Sequence, residues 1–222
     1  VRFALGTTID GGETAEIAAA VELARDSDVV VLALGDRAGL FGRGTSGEGC
    51  DVESLVLPGA QAELLDALLD SGTPVVLTLL AGRPYFLGDA PAKAAAIIQT
   101  FFPGEEGAGA IVGVLSGRIN PSGRLPVSIP GSPGAQPSTY LASPLARSTG
   151  VSSVLVDAAF PFGHGLGYGA FDWSNPSIET ARIGTDGVAR VSVTVRNVGD
   201  RAGADVVQLY LSDPVATVVR PV

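Results

Sequence analysis

Val29-Val30-Val31-Leu32-Ala33-Leu34 carries no polar side chain, and Asp26-Ser27-Asp28 stops the chain's preceding pattern just before it. An unbroken apolar run of this length suits a strand covered on both faces, as in a parallel sheet. Upstream, Thr14 to Arg25 reads as an amphipathic helix: Ile17, Ala20, Val21 and Ala24 recur at helical spacing, and Thr14 can cap the start. Downstream, Gly35 to Ser54 is a long glycine-rich loop, and loops of that length inside compact domains are functional or disordered. Pro58 sits at or near the first position of a helix that continues from Gln61 to Asp70. Leu64, Leu65, Leu68 and Leu69 form its apolar stripe, and Gly72 ends it. Val75 to Leu80 and Ala94 to Thr100 read as further buried strands. Glu105 and Glu106 open a helix to Leu115, where acids suit the N-terminal dipole, and Ser116-Gly117 stops it. This alternation predicts an α/β fold, a mostly parallel sheet flanked by helices in an α/β sandwich.

The pattern then changes. Asn120 to Pro137 is rich in Pro, Gly and Ser, with one short strand candidate at Leu125 to Ile129. Leu141 to Ala159 gives no clear signal, and Phe160 to Gly169 alternates aromatics with glycine like a tight junction. After Trp173 the period becomes two. Val191, Val193 and Val195 share one face of a strand over Val188 to Val198, with Arg190, Ser192, Thr194 and Arg196 on the other. Asn197-Val198-Gly199-Asp200 reads as a turn and Val206 to Leu211 as another strand. Such an all-β sandwich needs about 100 residues, so the second domain is expected to be truncated. The expected organisation is an α/β domain over residues 1–159, a junction over 160–174 and a partial β-sandwich over 175–222.

Of the 222 residues, 46% are hydrophobic and 17% charged, enough for a sizeable core and against global disorder. The net charge of −9 and the lack of a Lys/Arg cluster with interleaved aromatics argue against nucleic acid or an anionic membrane surface as partner. No apolar run approaches the roughly 20 residues that span a bilayer. Cys50 is the only cysteine, so no internal disulfide is expected. Val1-Arg2-Phe3 has neither an initiator Met nor a signal-peptide layout, and Val218 to Val222 stops without a cap. The sequence therefore reads as a piece of a longer protein, and both a cytoplasmic and a secreted setting stay open.

The chemistry concentrates in Thr45-Ser46-Gly47-Glu48-Gly49-Cys50-Asp51, on the loop that leaves the first strand. Functional groups in open α/β sheets sit on loops at strand carboxyl ends. Glycine on both sides of Glu48 permits unusual backbone angles and close approach of a ligand. On spacing alone Glu48 is equally a functional carboxylate and a solvated one. Asp36, Arg37, Ser46 and Asp51 are candidates to line the same cleft, against a solvated turn for the first two and a capping role for Asp51. Gly42-Arg43-Gly44-Thr45-Ser46-Gly47 matches the dinucleotide-binding glycine pattern, but the next helix begins near Pro58, too far on for a strand-to-helix turn. Ser46 lacks the closing glycine of an esterase elbow, since Gly44 to Glu48 reads G-T-S-G-E. His164, the single histidine, lies in an aromatic setting and reads as a packed or surface imidazole. One Cys and one His support no zinc site, and no cofactor is expected.

Several motifs in series carry a resemblance. They are Ser46 to Asp51 followed by Leu55-Val56-Leu57-Pro58-Gly59-Ala60-Gln61, then Pro74-Val75-Val76-Leu77, Ala81-Gly82-Arg83-Pro84 and Phe102-Pro103-Gly104-Glu105-Glu106-Gly107. Asn120 to Pro126 and Phe160 to Tyr168 follow. In this order, over nearly the whole chain, they resemble glycoside hydrolase family 3. Val195 to Gly199 and Val206 to Tyr210 look like that family's fibronectin type III-like domain. The resemblance implies an α/β sandwich domain that follows an N-terminal β/α barrel, the barrel carrying an Asp nucleophile absent from this sequence. It implies that Glu48 is the general acid/base, offered by its loop to the barrel's pocket. It also implies a retaining β-glucosidase or β-xylosidase acting on an oligosaccharide or glycoside. The sequence departs from the family where Val52 follows Asp51 in place of Arg, and at Gly167 and Ala170, where Ser and Thr are usual. The rival readings are a non-catalytic carbohydrate-binding or scaffold module of the same fold and a flavodoxin-like ligand-binding domain. Oligomeric state is not legible.

Overall fold

Ala20 and Ala24 are buried on one side of α1 (Ile17–Arg25), with Ile17 and Val21 packed beside them. The stripe read from helical spacing is thus the buried face. The helix begins three residues later than Thr14, whose carbonyl oxygen, not its hydroxyl, accepts the Ile17 N–H at 3.1 Å. The computed structural model describes residues 1–135, 148, 150, 151, 153, 156–211 and 215. Much of Leu141–Ala159, and Val218–Val222, lie outside the described residues.

Three strands, β1 (Val30–Gly35), β2 (Val75–Leu80) and β3 (Ala96–Gln99), form a parallel sheet in that order. Leu32 lies opposite Leu77 and Leu34 opposite Leu79, and Leu77 in turn opposite Ile97. The central strand behaves as its apolar run requires, with Val75, Leu77, Thr78 and Leu79 all buried. Strand β1 does not. Val31 is 54% exposed and Ala33 is exposed too, so the expectation of cover on both faces fails at this strand among the described residues. A continuous apolar run reports that both faces are apolar, not that both are covered, and β1 lies at the sheet edge.

Helix α2 (Gln61–Leu69) packs against α1 and buries Leu64, Leu65 and Leu68. Pro58 is not its first residue: Gly59 takes φ +60° and Ala60 is the cap. The strand expected over Ala94–Thr100 is shorter because a one-turn helix, α3 (Ala90–Lys93), precedes it. Helix α4 (Gly107–Leu115) starts after Glu105 and Glu106, which form the turn before it. The α/β class is the observed one: a parallel sheet flanked by helices, with small antiparallel pairs besides.

The chain gathers, among the described residues, into two compact units: Val1–Ala108 with Leu125–His164 and Tyr210–Val222, and Gly109–Arg124 with Gly165–Leu209. The first holds the parallel sheet and a short antiparallel pair, β4 (Ile129–Pro130) with β5 (Ala158–Phe160). The strand expected at Leu125–Ile129 is thus reduced to its last residue. The second holds the antiparallel pair β6 (Phe171–Ile178) and β7 (Val191–Asn197). Within it Arg124 pairs with Asp205, each side chain 16% exposed, and Trp173 Nε1 donates to Asp205 Oδ2 at 3.0 Å. Asn120 donates to the Ala202 carbonyl at 2.9 Å and accepts the Tyr168 N–H at 2.7 Å. Val206 to Leu211 forms no strand; alternation marks a face but does not supply a ladder. None of the helices is long and apolar enough to cross a membrane, among the described residues.

One side chain closes the end of β1. Gln61, 2% exposed, accepts the Gly35 N–H at 2.7 Å and donates to the carbonyls of Gly35 at 2.8 Å and Ile9 at 2.6 Å. Its amide stands in for a neighbouring strand at the sheet edge. Gln61→Ala leaves these backbone groups buried without partners and should lower stability by about 1–3 kcal/mol. A urea midpoint shifted downward at unchanged slope is the expected reading.

Candidate active site

The loop after β1 is short-circuited by its own backbone. Thr45 N–H donates to the Arg37 carbonyl at 2.8 Å, Gly39 N–H to that of Ser46 at 3.0 Å, and Phe41 N–H to that of Glu48 at 2.8 Å. Ala38 and Ser46 form an isolated bridge. The loop is therefore a folded object, and it needs its glycines. Gly47 has φ +131°, and a Cβ there would fall 1.9 Å from the Gly39 carbonyl oxygen. Between Gly47 and Gly49 (φ +72°) Glu48 turns outward. It is exposed, and no hydrogen bond or ion pair holds its carboxylate among the described residues.

The other sequence candidates fall into different places. Asp36 faces inward. Its Oδ1 accepts from the Thr45 hydroxyl at 2.7 Å and the Tyr85 phenol at 2.5 Å, and its Oδ2 from the Gly82 N–H at 3.0 Å. Burial, then the hydrogen bond and charge of Asp36, push the Tyr85 phenol well above its ordinary pKa. Arg37 is exposed and pairs with Asp10. Ser46 is 8% exposed, and a Cβ on Gly82 would come within 2.7 Å of its Oγ. Asp51 is exposed beside the buried Cys50. The structure brings Asp36 and Ser46 into the body of the loop, leaving Glu48 and Asp51 on its surface. His164 stacks on Phe160 with ring centroids 5.0 Å apart, so it is packed.

Two participants, Arg83 and Tyr85, stand outside the site candidates drawn from the sequence. Arg83 donates to the carbonyls of Thr45 at 2.8 Å and Cys50 at 2.7 Å, and Tyr85 holds Asp36. A signal was available. Both follow β2, which lies beside β1 in a parallel sheet, and loops at the carboxyl ends of adjacent parallel strands meet. A cleft of about 330 Å³ bounded by residues 2–9, α1, β1 and α2 includes none of these loop residues. No group of three His, Cys, Asp or Glu side chains among the described residues could hold a metal ion.

Chemically, the loop presents the exposed Glu48 carboxyl on a braced support, able to give or take a proton at a surface presented to it. The profile of the glycosyl hydrolase family 3 C-terminal domain matches residues 4–168. The chain is 34% identical to a beta-xylosidase of Formosa agariphila, the alignment covering 99% of this chain and 30% of that protein. It is 38% identical to a periplasmic beta-glucosidase of Salmonella typhimurium, covering 91% of this chain and 27% of the relative. Among solved structures, a beta-glucosidase from Listeria innocua in complex with glucose superposes with a TM-score of 0.81 at 30% identity. That match covers 97% of this chain and 31% of the other. The chain thus spans less than a third of the length of these relatives.

Proposed function

The chain belongs to glycoside hydrolase family 3, and from that premise we propose that its parent enzyme removes terminal β-linked glucosyl or xylosyl residues from oligosaccharides or glycosides. The proposed route is a retaining double displacement in which Glu48 is the general acid/base. The Asp nucleophile comes from a β/α barrel outside this sequence. The observation that carries this reading is the Glu48 carboxylate, without a partner among the described residues and turned outward by two glycines on a hydrogen-bonded loop at the end of β1.

A retaining glycosidase needs two carboxyl groups about 5–5.5 Å apart, one to attack the anomeric carbon and one to protonate the leaving oxygen. The second then takes a proton from water as the glycosyl–enzyme ester is opened. Glu48, with no partner among the described residues, is free to enter such a pair, unlike Asp36, whose oxygens are already engaged by three donors. The names of the relatives, beta-xylosidase and beta-glucosidase, support both sugars.

The test expresses the complete reading frame containing this sequence beside the 222-residue chain itself. The complete enzyme should hydrolyse 4-nitrophenyl β-glucoside or β-xyloside and release the β-anomer first, read by proton NMR. The chain alone should give no turnover above buffer, since it holds one carboxyl of the pair. Turnover by the chain alone, or first release of the α-anomer, contradicts the assignment.

A further inference from the structure

Arg83 ties together the two ends of the segment that presents Glu48. Its Nη1 donates to the Thr45 carbonyl at 2.8 Å and its Nη2 to the Cys50 carbonyl at 2.7 Å. Those carbonyls bracket Ser46, Gly47, Glu48 and Gly49, so one planar guanidinium spans the segment. The guanidinium forms no ion pair with a carboxylate among the described residues; its charge is spent on backbone oxygens.

Arg83 is itself held in place. The Gly82 N–H before it is bound by Asp36, and Gly82 has no room for a side chain, with a Phe102 ring carbon 2.6 Å from where a Cβ would lie. The Tyr85 phenol, two residues further on, donates to Asp36 Oδ1 at 2.5 Å. A chain of contacts therefore runs from the end of β2 through Arg83 to both sides of Glu48. Arginine suits this task because its donors form a rigid fork, whereas lysine offers a single point of attachment on a flexible stem.

We propose that Arg83 is the positioning residue of the acid/base: it touches no reacting atom and sets where Glu48 is presented. The inference rests on the proposed role of Glu48. Loss of the clamp keeps the Glu48 carboxyl group but lets the segment that holds it move, so proton transfer suffers while the rest of the site stands.

Cys50, 6% exposed and the sole cysteine of the chain, reports on the clamp without any activity. In the 222-residue chain, Arg83→Ala should speed alkylation of Cys50 by iodoacetamide at least about tenfold through local opening. Arg83→Lys should fall between that variant and the parent. In the complete enzyme, Arg83→Ala should lower kcat by about 10–10²-fold on glycosides with poor leaving groups. On 2,4-dinitrophenyl glycosides kcat/KM should be nearly intact while kcat and KM fall together, as for Glu48→Ala, and the change should add little on top of Glu48→Ala. If Arg83→Ala does not fold, Arg83→Lys carries the same comparison. Unchanged alkylation, or an equal loss of kcat/KM on both leaving-group classes, overturns the positioning role. If Glu48→Ala is selective for leaving group and Arg83→Ala is not, the acid assignment stands and the clamp falls. If Glu48→Ala is not selective, both fall.

Discussion

Glu48→Ala in the complete enzyme is expected to lower kcat/KM by about 10²–10⁴-fold on a glycoside with a poor leaving group, the usual contribution of a placed proton donor. On a 2,4-dinitrophenyl glycoside the first step should be nearly intact, because that leaving group departs as a stable anion without protonation. Deglycosylation still lacks its base, so the glycosyl–enzyme should accumulate and KM should fall along with kcat. Azide should then restore turnover and yield a β-glycosyl azide, since it attacks the anomeric carbon without losing a proton. Glu48→Gln keeps the shape and the outward position and should behave like the alanine variant. Structure sharpens this expectation in one respect. The carboxylate has no internal partner among the described residues, so its removal leaves no buried donor unsatisfied. Thermal stability of Glu48→Ala should therefore match the parent, and lost activity should reflect lost chemistry. An equal fall on both leaving-group classes, with no response to azide, would contradict the acid role.

What could be read from the sequence follows physical rules. Val75–Leu80 is found where its apolar run placed it because a central strand is apolar for a packing reason. The stripes of α1 and α2 were legible for the same reason, while their first turns were not: backbone turns at Thr14–Ile17 and Pro58–Gln61 set those ends without side-chain caps. Strand β7 declares itself by alternation, whereas its partner β6 contains Pro176 and Asn175 at φ +51° at a register shift, which erase the period of two. At the site, a carboxylate between glycines was visible as an anomaly. The brace beneath it was not, because Arg83 reaches a carbonyl 38 residues earlier in the chain. Asp36 was singled out for its place after β1, and that place leads it inward to Thr45, Gly82 and Tyr85. Only the parallel order of β1 and β2 brings these groups together.

Gly47→Ala should be about as damaging to catalysis as losing the placement of Glu48 altogether, near 10²-fold in kcat/KM on poor leaving groups. Alanine rarely adopts φ +131°, and its Cβ would lie 1.9 Å from the Gly39 carbonyl oxygen, a backbone atom that no rotamer change can move aside. The same stretch of backbone accepts the Gly39 N–H at Ser46 and the Phe41 N–H at Glu48, so relief of the clash must break or stretch those bonds. Strain of this kind amounts to about 1–3 kcal/mol when the surroundings hold the residue in place. The loop can escape that strain only by moving the residue next to Gly47, which is Glu48. Gly109→Ala in α4 is the matched control, with nothing within 4 Å of its Cβ and a helical setting in which alanine gains about 0.5–1 kcal/mol over glycine. The control should raise the melting temperature slightly and leave kcat/KM unchanged. Gly47→Ala should lower both and speed alkylation of Cys50, whose N–H donates to the Gly47 carbonyl at 3.1 Å. Full activity in Gly47→Ala would show that the presentation of Glu48 does not depend on the loop's internal geometry.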